Sequence, residues 1–178
     1  MGIDPGLAKV GFGVVRKIQN PRPTSSRNEV FGKQVKSKSQ KLRSLGYGCI
    51  ETNPDLSNGE RLKKINQELN KLIKEYKPDV LAIENVYFFK NLKTAMPVSQ
   101  AKGVILFTAA KKKVSIYEFT PLQIKTAVTG YGRADKKQIK EMIKILLNLK
   151  EIPRSDDAAD ALGAAICYSR IFNYPQKK

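Results

Sequence analysis

The chain has 178 residues, and its 33 Lys and Arg against 16 Asp and Glu give a formal charge of +17. That length is enough for one ordinary domain with a core that needs no disulfides. Self-repulsion at this charge works against folding, so we expect an anionic partner, with nucleic acid favoured over a membrane surface. With no His and only two Cys, the sequence excludes Ser-His and Cys-His catalysis and an ordinary zinc site.

The first third of the chain predicts three strands joined without helices, which favours antiparallel hairpins. Residues 2–6 are expected to form the end of a short strand and a tight turn, and 10–18 and 45–52 the next two strands. Residues 20–40 are rich in Pro, Ser and cationic side chains, and so predict a long basic hairpin loop. The whole basic insertion between these strands is placed at 19–43.

From Ser57 onwards, apolar residues at helical spacing alternate with short apolar runs that are typical of buried strands. This alternation favours parallel neighbours. The order predicts an α/β fold, a mixed five-stranded sheet with helices on both faces, in a single domain spanning 1–178. The predicted elements after the third strand are a helix between Ser57 and Pro78, a strand at 79–84, a helix at 94–111, a strand at 114–119, and helices at 121–128, 134–149 and 156–171.

The two cysteines and the lack of long apolar segments bear on location. Cys49 and Cys167 each lie in an apolar stretch outside any CxxC pair, so we expect both to be buried free thiols in a reducing compartment. No apolar run approaches the roughly 20 residues that span a bilayer, and no basic segment followed by an apolar one opens the chain. These features predict a cytoplasmic protein.

Four acidic residues in this cationic chain are placed where a site is expected. Asp4 and Glu84 end predicted strands, and the ends of strands are where open α/β sheets build their sites. Asp157 and Asp160 are three residues apart near the start of the last predicted helix, so they share one helical face. Buried carboxylates are costly unless they meet a cation. The four acids together therefore predict a metal site.

Each acid also has a simpler interpretation when taken singly. Asp4 before Pro-Gly could be a turn residue, and Asp157 and Asp160 could complement a helix dipole. Asp156 is an alternative to Asp157, because it lies four residues from Asp160. Oxygen ligands without His or Cys favour Mg²⁺ or Mn²⁺. Two such ions can activate a water and stabilise the leaving oxygen when a phosphodiester is hydrolysed.

A series of motifs runs along the chain: GIDPG at 2–6, GFGVV at 11–15, LGYGCIET at 45–52, IENVYF at 83–88, SQAKGV at 99–104, TPLQIKTAVTGYGRADKKQI at 120–139 and DDAADALGAAIC at 156–167. In the same order, these motifs resemble those of the RuvC Holliday-junction resolvases, which have the RNase H-like fold. The resemblance covers almost the whole chain except about residues 19–43, and the segment 120–139 is its most specific part. Family members usually have two to four residues before the first motif, so the first strand here is expected to be short.

The resemblance implies a role for particular residues. It places the DNA-contacting lysines at Lys125 and Lys136, and the aromatic side chain that meets bases near the crossover at Tyr87. Both lysines lie on predicted helices that flank the Gly-Tyr-Gly turn at 130–132, where backbone can approach a phosphate closely. The catalytic, metal-binding acids fall on Asp4, Glu84, Asp157 and Asp160.

By the same implication, the chain acts as a homodimer that binds a four-way DNA junction and cuts two strands symmetrically in recombination and repair. Two Mg²⁺ ions are expected in each active site, with Mn²⁺ as a substitute, and a branch-migration motor complex is a further expected partner.

Three alternatives to this function stay open. They are an RNase H-like nuclease for another nucleic acid, such as ribosomal RNA precursors, a junction-binding protein that does not cleave, and an ATP-binding sugar-kinase-like protein. The segment 120–139 argues against the first, and the lack of a phosphate-binding glycine motif beyond the first turn argues against the last.

Overall fold

The computed structural model describes residues 1–18, 41–85 and 92–172, and its centre is a five-stranded sheet with the order β3-β2-β1-β4-β5. The strands β1 and β2 and the strands β2 and β3 pair antiparallel, whereas β4 is parallel to both of its neighbours. This arrangement confirms the predicted mixed sheet. The strands are β1 (Gly2–Asp4), β2 (Lys9–Ile18), β3 (Lys41–Glu51), β4 (Val80–Glu84) and β5 (Ser115–Phe119).

In the described residues, five helices cover the two faces of the sheet, and local side-chain caps set where most of them begin. Ser57, Thr120 and Asp135 each form a reciprocal capping box with a Glu or Gln three residues later. Ser155 caps the last helix by accepting a hydrogen bond from the backbone of Ala158, as predicted. The helices are α1 (Asn58–Tyr76), α2 (Leu92–Lys111), α3 (Pro121–Thr129), α4 (Lys136–Leu147) and α5 (Asp156–Ile171).

The sheet separates two hydrophobic cores. On one face, Ile3 and Ile83 pack with apolar residues of α1 and α2, such as Leu69 and Ile105. On the other face, α3, α4 and α5 pack around a second set of buried residues that includes Leu162. In the described parts of the chain, no helix is both long and apolar enough to cross a membrane.

The largest differences from the predicted boundaries are in β3 and α4. β3 begins at Lys41, because its pairing with β2 continues as far as Ile18 opposite Lys41. Residues 41–43 of the predicted insertion are therefore strand, and 19–40 lie outside the described residues. Helix α4 is shorter than 134–149, because Asp135 caps its start and Asn148 takes a left-handed conformation at its end.

The prediction that both cysteines are buried was correct for Cys167 and wrong for Cys49. Cys167 is buried among the residues of α5, and this burial raises the pKa of its thiol to about 11. Cys49 lies on β3 and is only partly buried, with its Sγ 3.1 Å from Ser155 Oγ. Successive side chains of a strand point to opposite faces of the sheet. Cys49 therefore points to the opposite face from its apolar neighbour in sequence, and it is less completely covered there.

A cleft lies beside β1. The amino group of Met1 is buried and donates a hydrogen bond of 2.8 Å to the backbone oxygen of Val80. Burial lowers the pKa of this amine to about 6. Next to it, a cavity of about 490 Å³ is lined by β2 and by Tyr76 and Tyr168, among others. The cleft lies at the opposite end of β1 from Asp4.

Candidate active site

Helix α5 lies directly on β1 and β2, because these strands present glycines towards it. A Cβ atom at Gly2 would overlap the backbone oxygen of Ala161, and a Cβ atom at Gly11 would overlap that of Asp157. Only glycine fits at such a close approach of two backbones. As a result, the first turn of α5 is held against the end of β1 that carries Asp4.

The close approach at Gly11 makes a direct prediction. Gly11→Ala should push the start of α5 away from the sheet, lowering the free energy of unfolding by about 2 kcal/mol and reducing nuclease activity more than tenfold. Gly59→Ala on α1 is the matched control, because a Cβ there meets nothing within 4 Å. Urea unfolding and cleavage assays on both variants test this, and equal behaviour of the two would contradict it.

The four predicted acids come together at one edge of the sheet. Asp4 and Glu84 end the parallel neighbours β1 and β4, and Asp157 and Asp160 lie on the first turns of α5. Burial, and then repulsion from Glu84, Asp160 and Asp157, raises the pKa of Asp4 to about 8. Burial and the charge of Asp160 raise the pKa of Glu84 to about 7. Burial likewise raises the pKa of Asp160.

This donor set fits a hard divalent cation. Within the described ranges, no Lys or Arg forms an ion pair with any of the four carboxylates, which therefore lack a cation although three of them are largely buried. Such an anionic cluster is costly by itself and is stabilised by a bound cation. No three metal-ligating side chains in those ranges are yet arranged as a ligand shell. Ligation would require the carboxylates to turn towards one another.

The structure separates Asp156 from Asp157, which the sequence left as alternatives. Asp157 is half-buried, accepts a hydrogen bond of 3.1 Å from Ser155 Oγ and repels the charge of Asp4. Asp156 is exposed and forms ion pairs with Lys136 and Lys140 on α4. The placement of Asp157 beside Asp4 therefore favours Asp157 as the ligand.

The two predicted DNA-contacting lysines flank the acid cluster. Lys125 on α3 donates a hydrogen bond of 3.1 Å to the backbone oxygen of Ala134, and its charge lowers the pKa of Glu84. Lys136 is the first residue of α4, and its charge lowers the pKa of Asp4 and of Glu84. Both cations are thus at the rim of the site, where a phosphate would meet them. Tyr87, the third predicted DNA contact, lies outside the described residues.

Sequence reasoning missed several side chains that support the site. Ser155 was predicted only as a helix cap, yet its hydroxyl also contacts Asp157. Lys102 on α2 donates hydrogen bonds to Asn85 Oδ1 at 3.0 Å and to Glu118 Oε2 at 2.7 Å. It thereby ties down the residue that follows Glu84. Lys102 lies in the SQAKGV motif, which was the available signal, but its partners lie far away in sequence.

Comparisons with known proteins agree with this architecture. A family model described as crossover junction endodeoxyribonuclease RuvC matches residues 25–168. A protein of that name from Alkaliphilus metalliredigens is 45% identical over 169 residues, covering 95% of this chain and 91% of the relative. The motifs quoted above are spread over the same length.

Solved structures give the same result. The Thermus thermophilus RuvC structure superposes with a TM-score of 0.79 at 29% identity, covering 96% of this chain and 94% of that chain. T. thermophilus RuvC in complex with a Holliday junction substrate gives a TM-score of 0.77 at 30% identity, covering 94% and 90%. These likenesses confirm the predicted RNase H-like fold. The chain therefore belongs to the RuvC family of crossover junction endodeoxyribonucleases.

Proposed function

We propose that this protein is a structure-selective endonuclease that resolves four-way DNA junctions in the cytoplasm by symmetric, metal-dependent hydrolysis of two phosphodiesters. The observation that carries the proposal is a cluster of carboxylates that form no ion pair with a Lys or Arg of residues 1–18, 41–85 or 92–172, in a chain with a charge of +17. The Holliday junction in the complex of its T. thermophilus relative supports a junction as the substrate. A branch-migration motor complex would bring such junctions to it.

The charges of the lysines and carboxylates at the site indicate the role proposed for each group. Lys125 and Lys136 at the rim would bind the phosphates on either side of the scissile bond, which positions the DNA without reading its sequence. When bound, two Mg²⁺ or Mn²⁺ ions supply an activated water and charge stabilisation for the leaving oxygen. The carboxylates proposed to hold the ions are Asp4, Glu84, Asp157 and Asp160.

A cleavage assay tests the proposal. The protein is incubated with Mg²⁺ and either a labelled four-way junction or a linear duplex of the same arm sequence, with Glu84→Gln as the inactive control. We expect paired nicks near the crossover in the junction alone, and none with Glu84→Gln although that variant still binds. Equal cutting of the duplex would point to a general nuclease, and binding without cutting in any divalent cation would point to a non-cleaving junction-binding protein.

We also propose that a second copy of the chain is a partner and that it binds along α2. The exposed positions of this helix from 96 to 110 form one uncharged stripe, about 21 Å long, in a strongly cationic protein. Its middle residue is Gly103, beside which a neighbouring helix could approach closely. Antiparallel pairing across a two-fold axis near Gly103 would bury two identical stripes. The stripe consists of Met96, Ser99, Gln100, Gly103, Phe107 and Ala110.

A charge placed in this stripe tests the dimer. Phe107→Glu should yield a monomer that makes single nicks and binds junctions at least tenfold more weakly, because a buried unpaired carboxylate opposes association. Ile145→Glu on α4 is the matched control, since Phe107 and Ile145 are 63% and 67% exposed. Analytical ultracentrifugation reports the oligomeric state. A dimeric Phe107→Glu protein, or a monomeric control, would count against α2 as the interface.

A further inference from the structure

Two lysines on α4 share a single carboxylate next to the acid cluster. Lys136 and Lys140 are four residues apart and so lie on the same face of the helix. Lys136 Nζ is 3.1 Å from Asp156 Oδ2, and Lys140 Nζ contacts the other oxygen, Oδ1. Both oxygens of Asp156 are therefore occupied by ammonium groups. The sequence analysis assigned no role to Lys140 and considered Asp156 only as an alternative ligand.

These lysines are close enough to reach the acid cluster instead. Both lysines line one small cavity together with Asp156 and Asp160. The charges of Lys136 and Lys140 both act on Asp160. Lys140 is only 20% exposed, so its ammonium lies near the partly buried acids rather than in open solvent. Without Asp156, the nearest anionic group lining that cavity would be Asp160.

An ammonium group bound to Asp160 would compete with a metal ion. Ion pairs that are partly buried are stronger than exposed ones, and each pair formed occupies oxygen lone pairs that a divalent cation needs. In the described residues, however, the ion pairs of Lys136 and Lys140 are made with Asp156, and none is made with the cluster. We propose that Asp156 is a competing carboxylate that holds Lys136 and Lys140 away from the metal-binding acids. This inference rests on the proposed function.

The ion pair between Lys136 and Asp156 contributes little to folding. Asp156 and Lys136 have side chains that are 51% and 73% exposed, and exposed pairs of this kind stabilise a protein by less than about 1 kcal/mol. Asp156→Asn should therefore fold normally. Its effect on metal binding can then be measured separately from any effect on stability.

Metal binding to the DNA-free protein tests the inference. Mn²⁺ affinity is measured by the electron paramagnetic resonance signal of free Mn²⁺, and Mg²⁺ by competition. We expect Asp156→Asn to weaken Mn²⁺ binding three- to tenfold, and we expect the double variant Asp156→Asn/Lys140→Met to restore it. Glu151→Gln removes a nearby exposed carboxylate paired only with Arg154 and should leave the affinity unchanged. Junction binding in EDTA should be equal or tighter in Asp156→Asn, because a negative charge beside Lys136 is removed.

The outcomes separate the inference from the function on which it rests. If the wild-type protein binds no Mn²⁺ and cuts no junction, the proposed metal site itself is contradicted, together with the inference that rests on it. Unchanged Mn²⁺ affinity in Asp156→Asn would overturn the inference. So would weakened binding that Lys140→Met does not restore, since Asp156 would then be a ligand itself. If Asp156→Asn does not fold, the single variant Lys140→Met tests the inference instead. Weaker Mn²⁺ binding in that variant would overturn the inference, because it would show that Lys140 orders the site.

Discussion

Asp4→Asn should reduce junction cleavage at least about a thousandfold and, in the absence of metal, make the protein more stable. The loss of activity follows from the proposed role of this carboxylate as a metal ligand at the centre of the cluster. The gain in stability follows from its environment: burial and three neighbouring carboxylates raise the pKa of Asp4 to about 8. At pH 8, removing the cost of ionising it should raise the free energy of unfolding by about 2–4 kcal/mol.

The measurement pairs single-turnover cleavage with urea unfolding in EDTA. Asp55→Asn is the matched control, because Asp55 is an exposed acid on a turn and should change neither quantity. Junction binding by Asp4→Asn should persist, as the lysines at the rim are untouched. A destabilised Asp4→Asn protein would show that the carboxylate has a structural partner, and the interpretation of the cluster as a strained metal site would then be wrong.

Metal-free protein should become less stable as the pH rises from about 4 to 8, and Mg²⁺ should reverse this trend. In that range the folded state keeps protons on Asp4 and Glu84, whose pKa values are about 8 and about 7, whereas the unfolded chain has released them. Unfolding then releases protons, so the free energy of unfolding falls with rising pH. The buried amine of Met1 acts in the opposite sense between pH 6 and 8, because its pKa is lowered to about 6. The two carboxyl shifts together exceed that of the amine.

Metal binding should displace the protons that the metal-free protein keeps on Asp4 and Glu84. Below the pKa of a carboxyl group, each proton that a bound ion displaces should make the apparent Mg²⁺ affinity up to about tenfold tighter for every unit by which the pH rises. Calorimetric titrations in two buffers of different ionisation enthalpy count the protons released. Asp4→Asn should release one proton fewer than wild type near pH 7. A Mg²⁺ affinity that is independent of pH between 6 and 8 would show that the acids are ionised before metal arrives.

Local sequence patterns determined the number, type and order of the elements. Apolar residues at helical spacing and the caps at Ser57 and Ser155 act within a few residues of themselves, so they can be interpreted without knowing the fold. The same holds for Asp4 and Glu84, because a carboxylate that ends an apolar strand is unusual in any fold. The start of β3 was predicted wrongly because it depends on a distant partner. Lys41 is in a strand only because Ile18 lies opposite it.

Only the tertiary structure determines which acidic side chains pair with lysines. Asp156 and Asp157 are neighbours in sequence with the same chemistry, and α5 turns one towards lysines of α4 and the other towards Asp4. The glycine at position 11 matters for a similar reason, since only the packing of α5 shows that a methyl group there would meet the backbone of Asp157. The sequence by itself determined the strong cationic charge, predicted four acids suited to a metal and showed a resemblance to the junction resolvases. Which carboxylate meets the lysines depends on contacts between residues far apart in the chain, and these contacts exist only once the chain has folded.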